Sequence, residues 1–178
     1  MIEIRWHARA GQGAKTGSQV LAVAALQAGK SVQAFPEYGP ERRGAPMRAY
    51  TRIDDRPIRR HCAIDQPDAV TVLEPSLLGP EVVDGLPADG VLVAVTERTP
   101  AEVAAATGHR GRIVCVAPGP PRAVNVLAAG ALAGALGVPP LPDLLGAVTH
   151  VLGAKAVEET LAAARLGHAA AREERWAA

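Results

Sequence analysis

Two clusters of residues have types and spacing that could do chemistry. The first is Gly11-Gln12-Gly13 with Lys15-Thr16 close behind. Before it, Ile2, Ile4 and Trp6 alternate with Glu3 and Arg5, a strand period, and the chain is predicted to turn from His7 onward. After it, the small apolar stretch Val20 to Ala28 reads as a helix that Thr16 or Ser18 would cap and Gly29 would end. Strand, glycine-rich turn and helix make a phosphate cradle, because backbone N–H groups and the positive helix end both attract an anion. The pattern is neither the G-x-G-x-x-G fingerprint nor the P-loop. A tight turn with glycine for close packing is therefore the competing reading.

The second cluster is Pro36-Glu37-Tyr38-Gly39-Pro40-Glu41-Arg42-Arg43-Gly44-Ala45-Pro46. Proline lacks a donor, so this stretch is predicted to be neither helix nor central strand. A rigid charged loop between strands is a common seat of binding. Residues 36–60 hold seven arginines against four acids in a chain of net charge +1. An anionic partner and an ion-paired solvated face both fit that excess. A third polar group is Asn125, in an otherwise apolar helical stretch, where its amide needs partners. A helix-to-loop hydrogen bond and a ligand contact are both open.

Conventional catalytic groupings do not emerge. His7, His61, His109, His150 and His168 share no metal-ligand spacing and read as turn or surface residues. Ser18, Ser31 and Ser76 lack a nucleophile elbow. Cys62 and Cys115 stand far apart without C-x-x-C spacing. They read as reduced thiols of a cytosolic protein, without an iron–sulfur or structural zinc set.

The elements that must position these residues form an α/β pattern. Ser31–Phe35 and Met47–Ile53 read as strands, the second with Met47, Ala49, Thr51 and Ile53 on one face and Arg48, Tyr50 and Arg52 on the other. Asp54 to Pro57 is a turn, and Ile58 is predicted to resume a strand as a hairpin. Ala69–Leu73, Val91–Val95 and Ile113–Val116 read as buried strands. Helices are predicted over 100–107, 123–136, 142–152 and 154–166, with a short helical piece at 75–78. Residues 170–178 read as a frayed tail. The whole, 1–178, is one domain with a mixed, mostly parallel sheet.

The chain's 178 residues, 48% of them hydrophobic, can bury a core. Only 3% are aromatic, so Ala, Val, Leu and Ile must fill it. Near-neutral charge argues against a field that recruits nucleic acid or membrane. No apolar run reaches spanning length, and the first residues lack a signal-peptide core.

Arg5-Trp6-His7-Ala8-Arg9-Ala10-Gly11-Gln12-Gly13-Ala14-x-Thr16, then Phe35-Pro36-x-Tyr38-Gly39-Pro40-Glu41-Arg42-Arg43-Gly44-Ala45-Pro46, resemble the gamma subunit of pyruvate (2-oxoacid):ferredoxin oxidoreductases. The likeness continues through Arg52-Ile53-x-Asp55-x-Pro57-Ile58 and reaches Asn125. It implies a three-layer α/β/α domain, inactive alone, in a complex that converts a 2-oxoacid and coenzyme A to acyl-CoA, carbon dioxide and reduced ferredoxin. Thiamine diphosphate, Mg2+ and [4Fe-4S] clusters would sit on the alpha, beta and delta partner subunits. This chain has neither a Gly-Asp-Gly element nor a cysteine cluster.

The resemblance further implies that this chain packs on the thiamine-binding subunits and helps position coenzyme A. Gly11, Gln12, Gly13, Lys15, Thr16, Arg42, Arg43 and Asn125 become candidate coenzyme A contacts. Pro36, Tyr38, Gly39, Glu41, Arg42, Arg43, Gly44 and Pro46 become candidate subunit contacts. Ala8 and Ala10 replace glycines usual in the family, which predicts a reshaped turn, and Lys15 replaces an aliphatic residue. A detached nucleotide- or coenzyme A-binding module, and the beta chain of an indolepyruvate- or arylglyoxylate-type oxidoreductase, are the alternatives.

Overall fold

A computed structural model describes residues 1–37, 44–155 and 158–173. The strands are β1 (Ile2–Arg9), β2 (Ser31–Pro36), β3 (Pro46–Asp54), β4 (Ala69–Val72), β5 (Val91–Val95) and β6 (Arg112–Val116). The helices are α1 (Ala14–Gln27), α2 (Pro100–Thr107), α3 (Val124–Leu136), α4 (Leu141–Leu152) and α5 (Glu158–Glu173). The sheet order is β2-β3-β1-β4-β5-β6. β3 pairs antiparallel with both β2 and β1, while β1, β4, β5 and β6 pair in parallel. The mixed sheet expected from the sequence is therefore present, with β3 the one reversed strand among those described.

Strand alternation sorts the core onto two faces. Ile4, Trp6 and Ala8 of β1, Ala69 of β4, and Val93 and Val95 of β5 pack with α1, α3, α4 and α5. Val70, Val72, Leu92 and Ala94 face the other way, onto Val82 and Val103 of α2 and its preceding turns. The domain is a three-layer α/β/α sandwich with most of its helix on one side.

Small residues set the spacing of that thick side. α3 runs unbroken through Gly130 and Gly134. A Cβ on Gly130 would lie 2.2 Å from the Ala164 carbonyl oxygen, and one on Gly167 would lie 2.1 Å from that of Leu127. The glycines are the contact surface between α3 and α5. α2 starts where the sequence placed it, with Pro100 in its first turn and a reciprocal Thr99–Glu102 capping box.

Several expectations are corrected. α1 begins at Ala14, ahead of the apolar stretch, because Gly13 at φ 80° opens it; Thr16 and Ser18 lie inside it and no side chain caps it. β1 runs through His7 to Arg9, since all eight residues pair with β3. Pro36 and Pro46 are strand ends, at the last position of β2 and the first of β3. Ile58 starts no strand: Pro57 and Pro67 lack the donors a ladder needs. α5 starts at Glu158 and continues through 170–173, where fraying was expected. Arg112 holds that end, donating to the carbonyls of Ala135 at 2.6 Å and Ala171 at 2.7 Å, the closing turns of α3 and α5. Residues 174–178 lie outside the described residues.

Candidate functional site at the carboxyl ends of β1 and β4

The connection from β1 leaves over one face through α1, and the connection from β4 leaves over the other through the 3₁₀ turns Pro75–Leu77 and Pro80–Val83. Adjacent parallel strands whose connections part in this way open a crevice at their carboxyl ends, the usual ligand position in open α/β sheets. The glycine-rich turn forms one wall. Gly11 (φ 105°) and Gly13 (φ 80°) carry its left-handed backbone, and among the described residues positive φ is confined to glycines. Ala8 is buried in β1, and Ala10 stands outside the positive-φ positions. The alanines therefore carry none of the turn's strain.

Asn125 reaches this turn from α3. Its Nδ2 donates to the Gly13 carbonyl at 3.3 Å, and its Oδ1 accepts from the Val126 amide at 3.0 Å. The helix-to-loop bond, one of the two readings of Asn125, is present. The approach is close: a Cβ on Gly13 would lie 2.7 Å from Asn125 Nδ2, and one on Gly17 would lie 2.8 Å from the Trp6 ring. The starts of α1 and α3 therefore converge on one turn, and neither has a side-chain cap or an acidic residue in its first turn. Lys15 is exposed and Thr16 half-buried beside it.

The two sequence clusters meet here. Ala10 N–H donates to the Ala45 carbonyl at 2.9 Å, and Arg9 Nη1 donates to the Gly44 carbonyl at 3.0 Å across 35 residues. Gly44 has φ 82°. At the other side of that segment, Glu37 N–H donates to the Arg48 carbonyl at 3.0 Å, and the Tyr50 hydroxyl donates to the Glu37 carboxylate. Burial, then Glu37, push the Tyr50 phenol up to about 12. Tyr38, Gly39, Glu41, Arg42 and Arg43 lie outside the described residues. Of the candidate subunit contacts, Pro36 and Gly44 are half-buried and Pro46 is exposed.

Glu74 and Ser76, which the motifs did not single out, complete the crevice. Gln12 Oε1 accepts from the Arg9 amide at 2.8 Å, and Gln12 Nε2 donates to Glu74 at 2.6 Å. Glu74, just after β4, accepts from the Ser76 amide at 3.3 Å. The Arg9 guanidinium donates twice to Ser76 Oγ, at 3.3 and 3.0 Å. Burial pushes the Glu74 carboxyl up, but the bonds from Gln12 and Ser76 and the Arg9 charge prevail and hold it below the ordinary range. No spacing rule joins Arg9 to residues 74 and 76; only the β1–β4 pairing could have found them.

The histidines divide. His61 and His150 are exposed as expected, but His7 and His109 are buried. His7 Nε2 accepts from Arg5 Nε at 3.0 Å, and His109 Nε2 lies 3.1 Å from the Gly90 carbonyl. Burial, then Arg5 and Arg48, push the His7 imidazole down to about 3. Among the described residues no three His, Cys, Asp or Glu side chains converge as a metal site. Cys62 is exposed and Cys115 lies on β6. These two side chains do not fit cluster ligation.

The model of the pyruvate ferredoxin/flavodoxin oxidoreductase family matches residues 3–170. The chain belongs to that family. Over 168 residues it is 45% identical to pyruvate synthase subunit PorC of Thermotoga maritima, spanning 90% of this chain and 87% of the relative. Over 104 residues it is 56% identical to the pyruvate/ketoisovalerate oxidoreductases common subunit gamma of Thermococcus litoralis, 58% of this chain and 56% of that one. The crystal structure of pyruvate oxidoreductase subunit PORC from Thermotoga maritima superposes with a TM-score of 0.81 at 40% identity, over 94% of this chain and 95% of the other. The chain is thus a gamma-type subunit of a 2-oxoacid oxidoreductase complex, as its two motifs implied. No helix among the described residues is long and apolar enough to cross a membrane.

Proposed function

We propose that this subunit presents the acyl acceptor, coenzyme A, to chemistry carried on its partner subunits. The net reaction joins a 2-oxoacid and the coenzyme A thiol, releases carbon dioxide, and passes two electrons to ferredoxin. Pyruvate is the proposed 2-oxoacid, and alpha, beta and delta chains in the cytoplasm are the proposed partners. Thiamine diphosphate, Mg2+ and [4Fe-4S] clusters on those chains supply decarboxylation and electron transfer. This chain's part is proximity: it holds the thiol-bearing molecule beside the reacting carbon.

The observation that carries this reading is the convergence of two uncapped helix starts, a turn with two left-handed glycines and the exposed Lys15 on one switch-point crevice. Such a place suits a phosphate-rich molecule. A relative described as common to pyruvate and ketoisovalerate oxidoreductases supports it from another side. A subunit shared between two 2-oxoacid enzymes fits the component they have in common better than the part that tells substrates apart. Arg42 and Arg43 are proposed as further phosphate partners, since guanidinium geometry suits phosphate.

Charge reversal of Lys15 tests the reading. In the assembled complex, Lys15→Glu is expected to raise KM for coenzyme A by about three- to tenfold, a charge-pair effect of roughly 1 kcal/mol. KM for the 2-oxoacid should stay put. Arg42→Ala with Arg43→Ala should act in the same direction. Loss of assembly in that double variant would instead mark the arginines as subunit contacts. A chain that purifies alone, without iron or thiamine diphosphate, would favour a detached binding module.

A further inference from the structure

Arg9, Gln12, Glu74 and Ser76 form a closed ring. Arg9 N–H reaches Gln12 Oε1, Gln12 Nε2 reaches Glu74 Oε2, Glu74 Oε1 takes the Ser76 amide, and Ser76 Oγ takes the Arg9 guanidinium. Every contact is 3.3 Å or shorter, and a branch from Arg9 Nη1 holds Gly44. The ring joins two segments distant in sequence, the end of β1 with its turn and the run after β4, and its branch adds a third, the approach to β3.

Both polar ends of the Gln12 amide are engaged inside this ring. A ligand that displaced either bond would open the ring, although the amide retains a second N–H and a second oxygen lone pair. The same bonds restrain the turn whose backbone conformation depends on Gly11 and Gly13. Gln12 N–H also donates to the Arg9 carbonyl at 3.1 Å, closing the turn from within. A carboxylate kept in its charged form balances the Arg9 guanidinium inside the ring. The ring thus leaves Lys15, outside it, as an exposed cation at the start of α1.

We propose that Arg9, Gln12, Glu74 and Ser76 are positioning residues. Their ring fixes the glycine-rich turn in the shape that receives the acceptor's phosphates, and none of the four side chains touches the acceptor. This assignment rests on the acceptor reading above. It moves Gln12 from the contacts implied by the family resemblance to the support beneath them, and it adds Glu74 and Ser76 to the site.

The test uses the complete reconstituted complex, with assembly checked by gel filtration and oxidation of the 2-oxoacid followed with an artificial electron acceptor. Glu74→Gln keeps shape but puts a donor where the ring needs an acceptor. It and Gln12→Ala are each expected to raise KM for coenzyme A about tenfold, with kcat changed less than about twofold, the scale of one hydrogen bond to a charged group. Because either change opens the same ring, the double variant should be no worse than the worse single one. Additive losses would overturn the ring. If Glu74→Gln disturbs assembly, Ser76→Ala removes only the exposed hydroxyl that receives Arg9. A Ser76→Ala complex with unchanged KM would overturn the proposal. Lys15→Glu separates the two levels: an effect there with none at Glu74 and Gln12 removes the ring and keeps the acceptor reading. No effect at any of the three removes both.

Discussion

The two faces of the β2–β3–β1 half of the sheet bury their side chains by different means. On the face beneath α1, Ile4, Trp6, Ala49 and Ile53 are sealed by apolar packing. Its polar thread is short: Trp6 Nε1 donates to Thr51 Oγ1 at 3.1 Å, and Thr51 donates to the Ser18 carbonyl at 3.2 Å. On the opposite face Arg5 is 4% exposed, Tyr50 2% and Arg52 0%. Here burial is achieved by counting partners. Arg52 donates to the carbonyls of Cys62 and Ala63, and Arg5 to those of Ile64 and Asp65, then to Val82 and Asp84. Four consecutive carbonyls of an irregular segment are thus satisfied by two guanidiniums. The arginines replace the strand partner that residues 62–65 lack. Arg52 adds Glu3 at 2.7 Å, Gln33 at 3.2 Å and the Phe35 ring at 5.5 Å.

One face is therefore sensitive to volume and the other to lost partners. The largest effect is expected on the polar face. Arg5→Met keeps much of the stem but leaves the carbonyls of Val82 and Asp84 and the His7 acceptor without their donor. Breaking such a buried charged network costs about 3–5 kcal/mol. Urea unfolding of the chain would read it, and a loss below about 1 kcal/mol would show that water replaces the guanidinium freely. On the packed face, Gly17→Val is expected to cost about 1–3 kcal/mol, because the new Cβ has no room and must displace α1. The atoms it meets are the Trp6 ring at 2.8 Å and the Asn125 carbonyl oxygen at 3.0 Å. The change should also quench or shift Trp6 fluorescence, which Arg5→Met should leave closer to native.

Alternation in β1 and β3 told which side chains share a face, and apolar runs placed β4, β5 and β6 within a residue or so. Periodicity could not tell that Arg5 and Arg52 are buried. That depends on residues 57–68 folding back over them, and the segment has no period of its own. The glycine-rich turn was legible because Gly11 and Gly13 have a local cause, positive φ. Asn125 was legible as an oddity, an amide in an apolar helix. The Arg9–Gln12–Glu74–Ser76 ring was not, since it joins residues up to 67 apart through strand pairing. The start of α5 was misplaced because Ala154 to Val157 is as apolar as the helix that follows. Its length was underestimated because Arg112, the residue that secures the end, lies on β6.

The smallest effect per step sharpens the contrast through pH. His7 lies on the partner-counting face, neutral at Nε2, where it accepts from Arg5. Its folded-state imidazole titrates near 3, against 6.5 for the unfolded chain, with burial the first cause and the Arg5 and Arg48 charges next. Between those two values the unfolded chain holds the proton and the folded chain does not. Stability is therefore whole above about pH 6.5 and falls as pH drops toward 3, by at most about 1.4 kcal/mol per pH unit. His7→Gln, which keeps an acceptor for Arg5 but cannot titrate, should remove that slope between pH 6.5 and 4 and leave the rest of the profile intact. Paired urea titrations at pH 7 and 5 would measure it. Equal slopes in the two proteins would mean that the Arg5 side opens to solvent before the chain unfolds. The polar face would then be the less tightly held of the two, even though its arginines are buried.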